Sequence, residues 1–447
     1  MTSSDDRALV ERAALPLALL LLGYPLWWAL GVQLPLWALV TVPLTAWLLR
    51  HRDQLALPPG YGVLLLFFGW VLLSGLMLDG LEYAASYLLR LAVYVTVLCC
   101  GFFVWNALRR GLRAWTVVSW LVAFWAAAVL LSYPGLLSAN LEFTSPFEWL
   151  LDRLGVHDPF VTALTHPEFS EYDVVYGVPR PSPLFAYTND WGAAMGVFTP
   201  VAVWAMLQAP TARLRWAVAG TLALSLPPIV MSVNRGCWIS LGVALGYVAI
   251  RRVAAGSVGI LAGLLTIVGS VAALLAFVPE VQRVVSARFD FANTSTRETL
   301  YEASLRLAAG SPLFGHGAPQ SSEGLADSND VSIGTHGQLW TVLVSQGFAG
   351  ALLFLGGVLA VWWHARPRDG RSPDLWLHAA GPALLVQTVY YEVVPLPLTV
   401  VLLALAVTAL HRDRPPLPTP VTRTGTAAAP RPVPGPELAP VSSEGRS

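Results

Sequence analysis

QLWTVLVSQGFAGALLFLGGVLAVWW, residues 338–363, runs 26 residues without a charged side chain, and Arg366, Arg368 and Arg371 follow it directly. About 17–25 apolar residues are enough to cross some 30 Å of hydrocarbon as a helix. The stretch therefore predicts a transmembrane helix. Arginine in short loops marks the cytoplasmic side of a bilayer, so the end at residue 363 faces the cytoplasm.

The same unit recurs along the chain. Apolar runs fall at 14–31, 34–49, 61–78, 84–106, 114–133, 185–208, 214–231, 236–250, 256–278, 338–363, 375–391 and 393–410. Arginine clusters occupy every second junction: Arg50/Arg52, Arg109/Arg110/Arg113, Arg213/Arg215, Arg251/Arg252, Arg366/Arg368/Arg371 and Arg412/Arg414. This alternation predicts an all-α polytopic membrane protein of about 12 transmembrane helices. Both termini are then cytoplasmic, and two larger loops, 134–184 and 279–337, are extracytoplasmic. The expected organisation is a five-span region over 1–133, the first loop, a four-span core over 185–278, the second loop, a three-span region over 338–410, and a proline-rich cytoplasmic tail over 411–447. Such a tail buries no core and is expected to be disordered. The acidic start, Asp5, Asp6 and Glu11 beside Arg7 and Arg12, does not resemble a signal-peptide n-region.

Composition agrees with the membrane reading. Only 12% of the 447 residues are charged and 55% are hydrophobic, with a mean hydropathy of +0.59; a soluble domain carries roughly 25% charged residues. The formal net charge is zero, so nothing points to nucleic acid. Cys99, Cys100 and Cys237 all fall inside predicted spans and read as packing residues, with neither a disulfide framework nor a zinc spacing.

Polar residues concentrate in the two long loops and at span ends facing the same way. The first loop is acidic, and its segment 143–154 reads as a short amphipathic helix followed, after Pro167, by extended chain. In the second, Ser295-Thr-Arg-Glu298 is a capping-box pattern opening a helix whose Leu300, Ala303 and Leu307 share one face. Gly310 and Pro312 end it, and a glycine-hinged turn, Pro312-Leu-Phe-Gly-His-Gly317, comes next.

Chemistry is expected at four places on that side. Arg180 stands just before the sixth span, with Tyr187, Asn189 and Asp190 entering its edge; a carboxylate at that depth calls for a partner, most simply an arginine. Arg235 is the only charge in the turn Ser232–Trp238, where the positive-inside rule predicts no arginine. It reads as an anion clamp, because a guanidinium binds phosphate oxygens bidentately and stays charged, or as a snorkelling interfacial arginine. Arg297 and Arg306 sit on the loop helix, offset by about 180° at 3.6 residues per turn; Arg297, near the N-terminus where anions are favoured, is the candidate. His316 and His336 are the candidate proton acceptors, and His336, opening a span, is the more rigidly held. Arg90 lies inside the fourth span on one face with Tyr83, Tyr87 and Tyr94, placed either to bind a diphosphate or to pair with Glu82 or Asp190. Asp327 and Asp330 lack the further carboxylates of a metal site, and no metal or cofactor is expected.

The order of these segments resembles the O-antigen ligase and O-antigen polymerase superfamily over roughly residues 175–365. The resemblance rests on an arginine-led stretch entering a span and an Arg235-Gly-x-Trp turn. A loop helix begun by arginine, the Pro-Leu-Phe-Gly-x-Gly turn, and His336 opening a span with Gly347 and Gly350 complete the order. It implies a membrane glycosyltransferase that uses an undecaprenyl-diphosphate-linked glycan as donor and a membrane-bound acceptor, in a bacterial inner or plasma membrane with an extracytoplasmic site. It also implies catalytic roles for Arg180, Arg235 and His336; Arg297, Arg90, Asp190, Tyr187 and His316 are expected to bind substrate. The chain departs from the family in having Asn234-Arg235-Gly236 where Ser-Arg-Gly is usual, and His336-Gly337 where His-Asn is usual. The alternative is a lipid-glycan transporter or flippase. That class places ionisable residues near the midplane of two related halves, and no half-to-half symmetry is visible here.

Overall fold

The computed structural model describes residues 4–138, 141–173, 178–279, 282–283, 286, 294–321 and 333–413. Asp327, Asp330 and the proline-rich tail beyond Asp413 lie outside the described residues.

In chain order the helices begin with α1 (Ser4–Leu22), α2 (Tyr24–Ala29), α3 (Gln33–Arg50), α4 (Tyr61–Ser74), α5 (Ala84–Arg109), α6 (Ala114–Leu137), α7 (Pro146–Arg153) and α8 (Pro159–Thr165). An antiparallel hairpin follows, β1 (Ser170–Asp173) with β2 (Val178–Pro181), pairing Glu171 with Arg180. Next come α9 (Thr188–Gln208), α10 (Ala212–Met231), α11 (Arg235–Ala254), α12 (Gly259–Phe277), α13 (Thr294–Gly310), α14 (Gln338–His364), α15 (Leu375–Gln387) and α16 (Leu396–Asp413). Among the described residues the protein is thus all-α apart from one short hairpin, formed where extended chain was expected after Pro167.

Among the described residues, seven helices are long and apolar enough to cross a membrane: α5 with the turn before it, α6, α9, α10, α11, α14 and α16. The other predicted runs hold α1–α2, α3, α4, α12 and α15. Large apolar side chains cover the outside of the bundle: Leu66 on α4 is 65% exposed and Leu352 on α14 is 74% exposed. Such a surface suits lipid and would aggregate in water. Near the middle, α9 packs against α6, α10, α11, α15 and α16, and α16 packs against α5.

Two local features position the site. In the first loop, α7 begins at Pro146, later than the periodicity suggests, because Ser145 caps it: Ser145 Oγ accepts from Glu148 N, and the Glu148 carboxylate accepts from Ser145 N. In the second, α13 begins one residue before Ser295 and lays Leu300, Ala303 and Leu307 against Ile333 and Val344.

Helix α14 is broken at Gly347, whose φ of 69° only glycine adopts readily. A break inside hydrocarbon frees backbone groups that need partners. The Pro312–Gly317 turn supplies them: His316 N donates to Val344 O at 2.9 Å, Gly317 N to Ser345 O at 2.8 Å, and Pro312 O accepts from Phe348 N at 2.8 Å. Trp70 closes the arrangement by donating to Gln346 O at 3.1 Å and stacking on Phe314 at 4.7 Å. The turn lies alongside α14 about 13 Å from its start, at 1.5 Å per residue, so the glycine hinge is docked on the bundle.

Candidate functional site

The centre of the site is the turn from α10 into α11. Ser232 and Val233 reverse the chain, and Asn234 caps α11 by accepting from Cys237 N at 2.9 Å. Arg235 is the first helical residue. It is partly buried, yet makes no hydrogen bond and no ion pair with any described residue. The guanidinium donors thus remain available for a hydrogen-bond acceptor.

Arg180 comes to the same turn from β2. Its side chain is buried, and Nε donates to Ser232 O at 2.7 Å, three residues before Arg235. His336 reaches the turn through a third segment. Two residues beyond it, Gln338 N donates to Tyr391 O at 2.8 Å, and Leu339 N donates to Thr388 O at 2.8 Å. These bonds satisfy two amides that the first turn of α14 would otherwise leave open. Tyr391 then spans the gap: its hydroxyl donates to Asn234 Oδ1 and accepts from Gly236 N at 3.1 Å. Arg180, Arg235 and the backbone carrying His336 are therefore tied together through Ser232 and Tyr391.

Gly337 sits in this joint with φ 142°, and a Cβ there would stand 2.5 Å from the Val389 carbonyl oxygen. No side chain fits at that position, so asparagine after the histidine is incompatible with this local backbone.

Next to Tyr391, Glu392 pairs with Arg90 at 2.9 Å, and the Thr341 hydroxyl lies 3.1 Å from the same carboxylate oxygen. The partner of Arg90 is thus Glu392, neither Glu82 nor Asp190. Gln338 completes the joint, donating to Tyr94 Oη at 2.9 Å and accepting from Val393 N at 3.3 Å.

Asp190 departs from expectation in the other direction. It lies in the first turn of α9, partly buried, with no arginine partner and no side-chain hydrogen bond among the described residues; its charged neighbours are Glu392 and Glu171. Tyr187, just before α9, is 45% exposed. His316 is engaged elsewhere: Nε2 contacts Leu307 O at 3.2 Å and Nδ1 faces Asp79 at 3.4 Å, which ties α13 to the segment after α4. The Arg297 side chain lies outside the described residues, and Arg306 faces Glu302 at an exposed 3.4 Å.

Tyr391 and Glu392 escaped the sequence reading. One signal was present: Glu392, directly after Tyr390-Tyr391 at the end of one run, is the lone charge separating the last two apolar runs. Gln338 was visible only as part of the glycine-rich entry to its span.

A family model described as O-Antigen ligase matches residues 220–355. The matched segment holds Arg235, the Pro312–Gly317 turn, His336 and the Gly347 break; Arg180, Arg90, Tyr391 and Glu392 lie outside it. No curated protein matches the chain. Over residues 220–355, the chain is similar to the O-antigen ligase family.

Proposed function

We propose that this protein is a glycosyltransferase of surface polysaccharide synthesis. It moves a glycan from an undecaprenyl-diphosphate-linked donor to a membrane-bound acceptor at the extracytoplasmic face of a twelve-span bundle. The observation that carries this reading is the unused guanidinium of Arg235, held half-buried beside Arg180. A diphosphate offers several anionic oxygens, and two arginines supply matching forks without a metal. The N-termini of α9, α11 and α14 all enter this joint at Thr188, Arg235 and Gln338, adding partial positive charge.

In the proposed reaction an acceptor hydroxyl oxygen attacks the anomeric carbon. The bond from that carbon to the diphosphate oxygen breaks, and the electron pair leaves with undecaprenyl diphosphate, stabilised by Arg235 and Arg180. The hydroxyl proton passes to the His336 imidazole, which otherwise positions the acceptor. Asp190 and Tyr187, at the rim, offer hydrogen-bonding groups for acceptor hydroxyls. Arg90 acts through Glu392, holding the Tyr391 segment, and Arg297, named from its sequence position alone, is assigned to the donor.

Product analysis with a defined lipid-diphosphate oligosaccharide tests the reading. A ladder of repeats from that substrate alone identifies a polymerase. Product only after a second, chemically different acceptor is added identifies a ligase. Absence of transfer under both conditions, with movement of the intact lipid-glycan across vesicles, would favour a flippase instead.

A further inference from the structure

We infer that the first long loop holds a divalent-cation site of the zinc class, built from Glu142, His166 and Glu168. One ligand atom from each of the three lies within 4.8 Å of the other two. Around a tetrahedral zinc with bonds of about 2.0–2.2 Å, neighbouring ligand atoms are about 3.3 Å apart. The triad must draw in by about 1.5 Å at most by that geometry, and Glu142, with a side chain 57% exposed, is free to make the movement.

The imidazole is set up for such a role. His166 Nδ1 lies 2.8 Å from the Glu148 carboxylate, which leaves Nε2 turned toward Glu142, 3.9 Å away. With the Nδ1 proton given to Glu148, the Nε2 lone pair is available to a metal. A carboxylate behind a histidine fixes the ring and its tautomer in metal sites. Glu148 is itself immobilised, since it closes the Ser145 capping box.

The backbone is equally fixed. Glu142 and Glu168 face each other in an antiparallel bridge, flanked by Phe143 N donating to Pro167 O at 3.2 Å and Phe169 N to Leu141 O at 3.1 Å. Charge is unbalanced. Glu142, Glu148, Glu168 and Glu171 gather around one histidine, and the ion pairs they make among the described residues are all to His166. Like charges held this close repel one another. A bound dication relieves this repulsion. The mixed nitrogen and oxygen set favours zinc or manganese over calcium, which prefers six to eight oxygens.

The ion would clasp the segments around Glu142 and Glu168. Phe169 O accepts from Ser182 N at 3.3 Å, so the clasp braces the hairpin that carries Arg180.

The test is zinc binding by the chelator-stripped, full-length protein in detergent, followed by calorimetry and by metal content after dialysis. The expected result is about one equivalent retained, at least tenfold weaker binding in Glu142→Gln and in Glu168→Gln, and a loss of about 10–100-fold in Glu148→Gln. His336→Ala should bind as the parent does, and calcium should not compete. Zinc binding unchanged in Glu142→Gln, an exposed position whose substitution leaves the fold intact, would overturn the site, as would a parent protein that retains no zinc. Metal content is read without glycan transfer, so this result stands or falls separately from the proposed activity.

Discussion

The Tyr391 hydroxyl hydrogen-bonds the Asn234 side chain across 157 residues of sequence. The same oxygen accepts from Gly236 N, so one phenol holds both sides of Arg235. Removing it should disturb the candidate site without emptying it of charge. Tyr391→Phe leaves Gly236 N–H buried without this partner, a loss of about 1–3 kcal/mol. Thermal unfolding in detergent should shift downward, and glycan transfer should fall at least about tenfold, the equivalent of 1.4 kcal/mol in the barrier. Parental transfer in a destabilised Tyr391→Phe protein would make the bond purely structural.

Arg235 and Arg306 provide a contrast between an unused and a solvated guanidinium. Arg235→Ala should reduce transfer by at least about 10²-fold, the scale for losing a group that stabilises developing charge. Lysine should restore little, since it lacks the bidentate fork. Arg306→Ala, which removes an exposed pair with Glu302, should leave both turnover and stability nearly unchanged. Initial rates of the three purified variants at matched membrane insertion decide the matter.

The Arg90–Glu392 pair should behave as a unit. Glu392→Gln strands a guanidinium whose Nε already lacks a partner and is buried. Removing one partner of a buried pair costs more than replacing both. Accordingly, Arg90→Met and Glu392→Gln should each lower the unfolding temperature, and the double variant should recover part of the loss. A coupling of about 0.5–3 kcal/mol is expected for residues in direct contact; additive losses would show that the two act separately.

Gly337→Ala addresses the joint below His336. The required φ of 142° and the nearby Val389 carbonyl oppose any Cβ. Strain of about 1–3 kcal/mol should appear as loss of transfer, together with weaker protection of the Gln338 and Leu339 amides in hydrogen exchange. Unaltered exchange at those amides would show that the backbone relaxes around the substitution.

The helices were legible because hydropathy alone demands them: all twelve apolar runs hold helical chain. Arg180, Arg235 and His336 stood out for a related reason, as polar residues at span ends where apolar ones are the norm. Asp190 shows where that reasoning stops. Its depth suggested an arginine partner, but Arg180 bonds Ser232, Arg90 pairs with Glu392, and Arg235 makes no ion pair among the described residues. Tyr391 and Glu392 were hidden because their partners lie 157 and 302 positions away, a distance that no local periodicity encodes. The Gly347 break was hidden too, since glycine is common in membrane helices and only the docked Pro312–Gly317 turn gives this one a purpose. The cluster of Glu142, His166 and Glu168 required the antiparallel bridge to bring its members together.

Sidedness is open to direct measurement. Tyr172 on β1 is 50% exposed, and Asp53, in the arginine-bearing turn after α3, has a side chain 92% exposed. Cysteine placed at position 172 should react with a membrane-impermeant maleimide from outside the cell, and cysteine at position 53 only after the membrane is opened. The reverse pattern would put the arginines of the site in the cytoplasm and remove the basis for an extracytoplasmic reaction.

Transfer by the purified protein, with a radiolabelled undecaprenyl-diphosphate oligosaccharide and a membrane-bound acceptor, is the most direct measurement. The expected result is release of undecaprenyl diphosphate in step with glycan appearing on the acceptor, abolished in Arg235→Ala and Arg180→Ala and reduced at least about 10²-fold in His336→Ala. Undiminished transfer by inserted, folded Arg235→Ala protein would contradict the assignment of that guanidinium to the donor diphosphate.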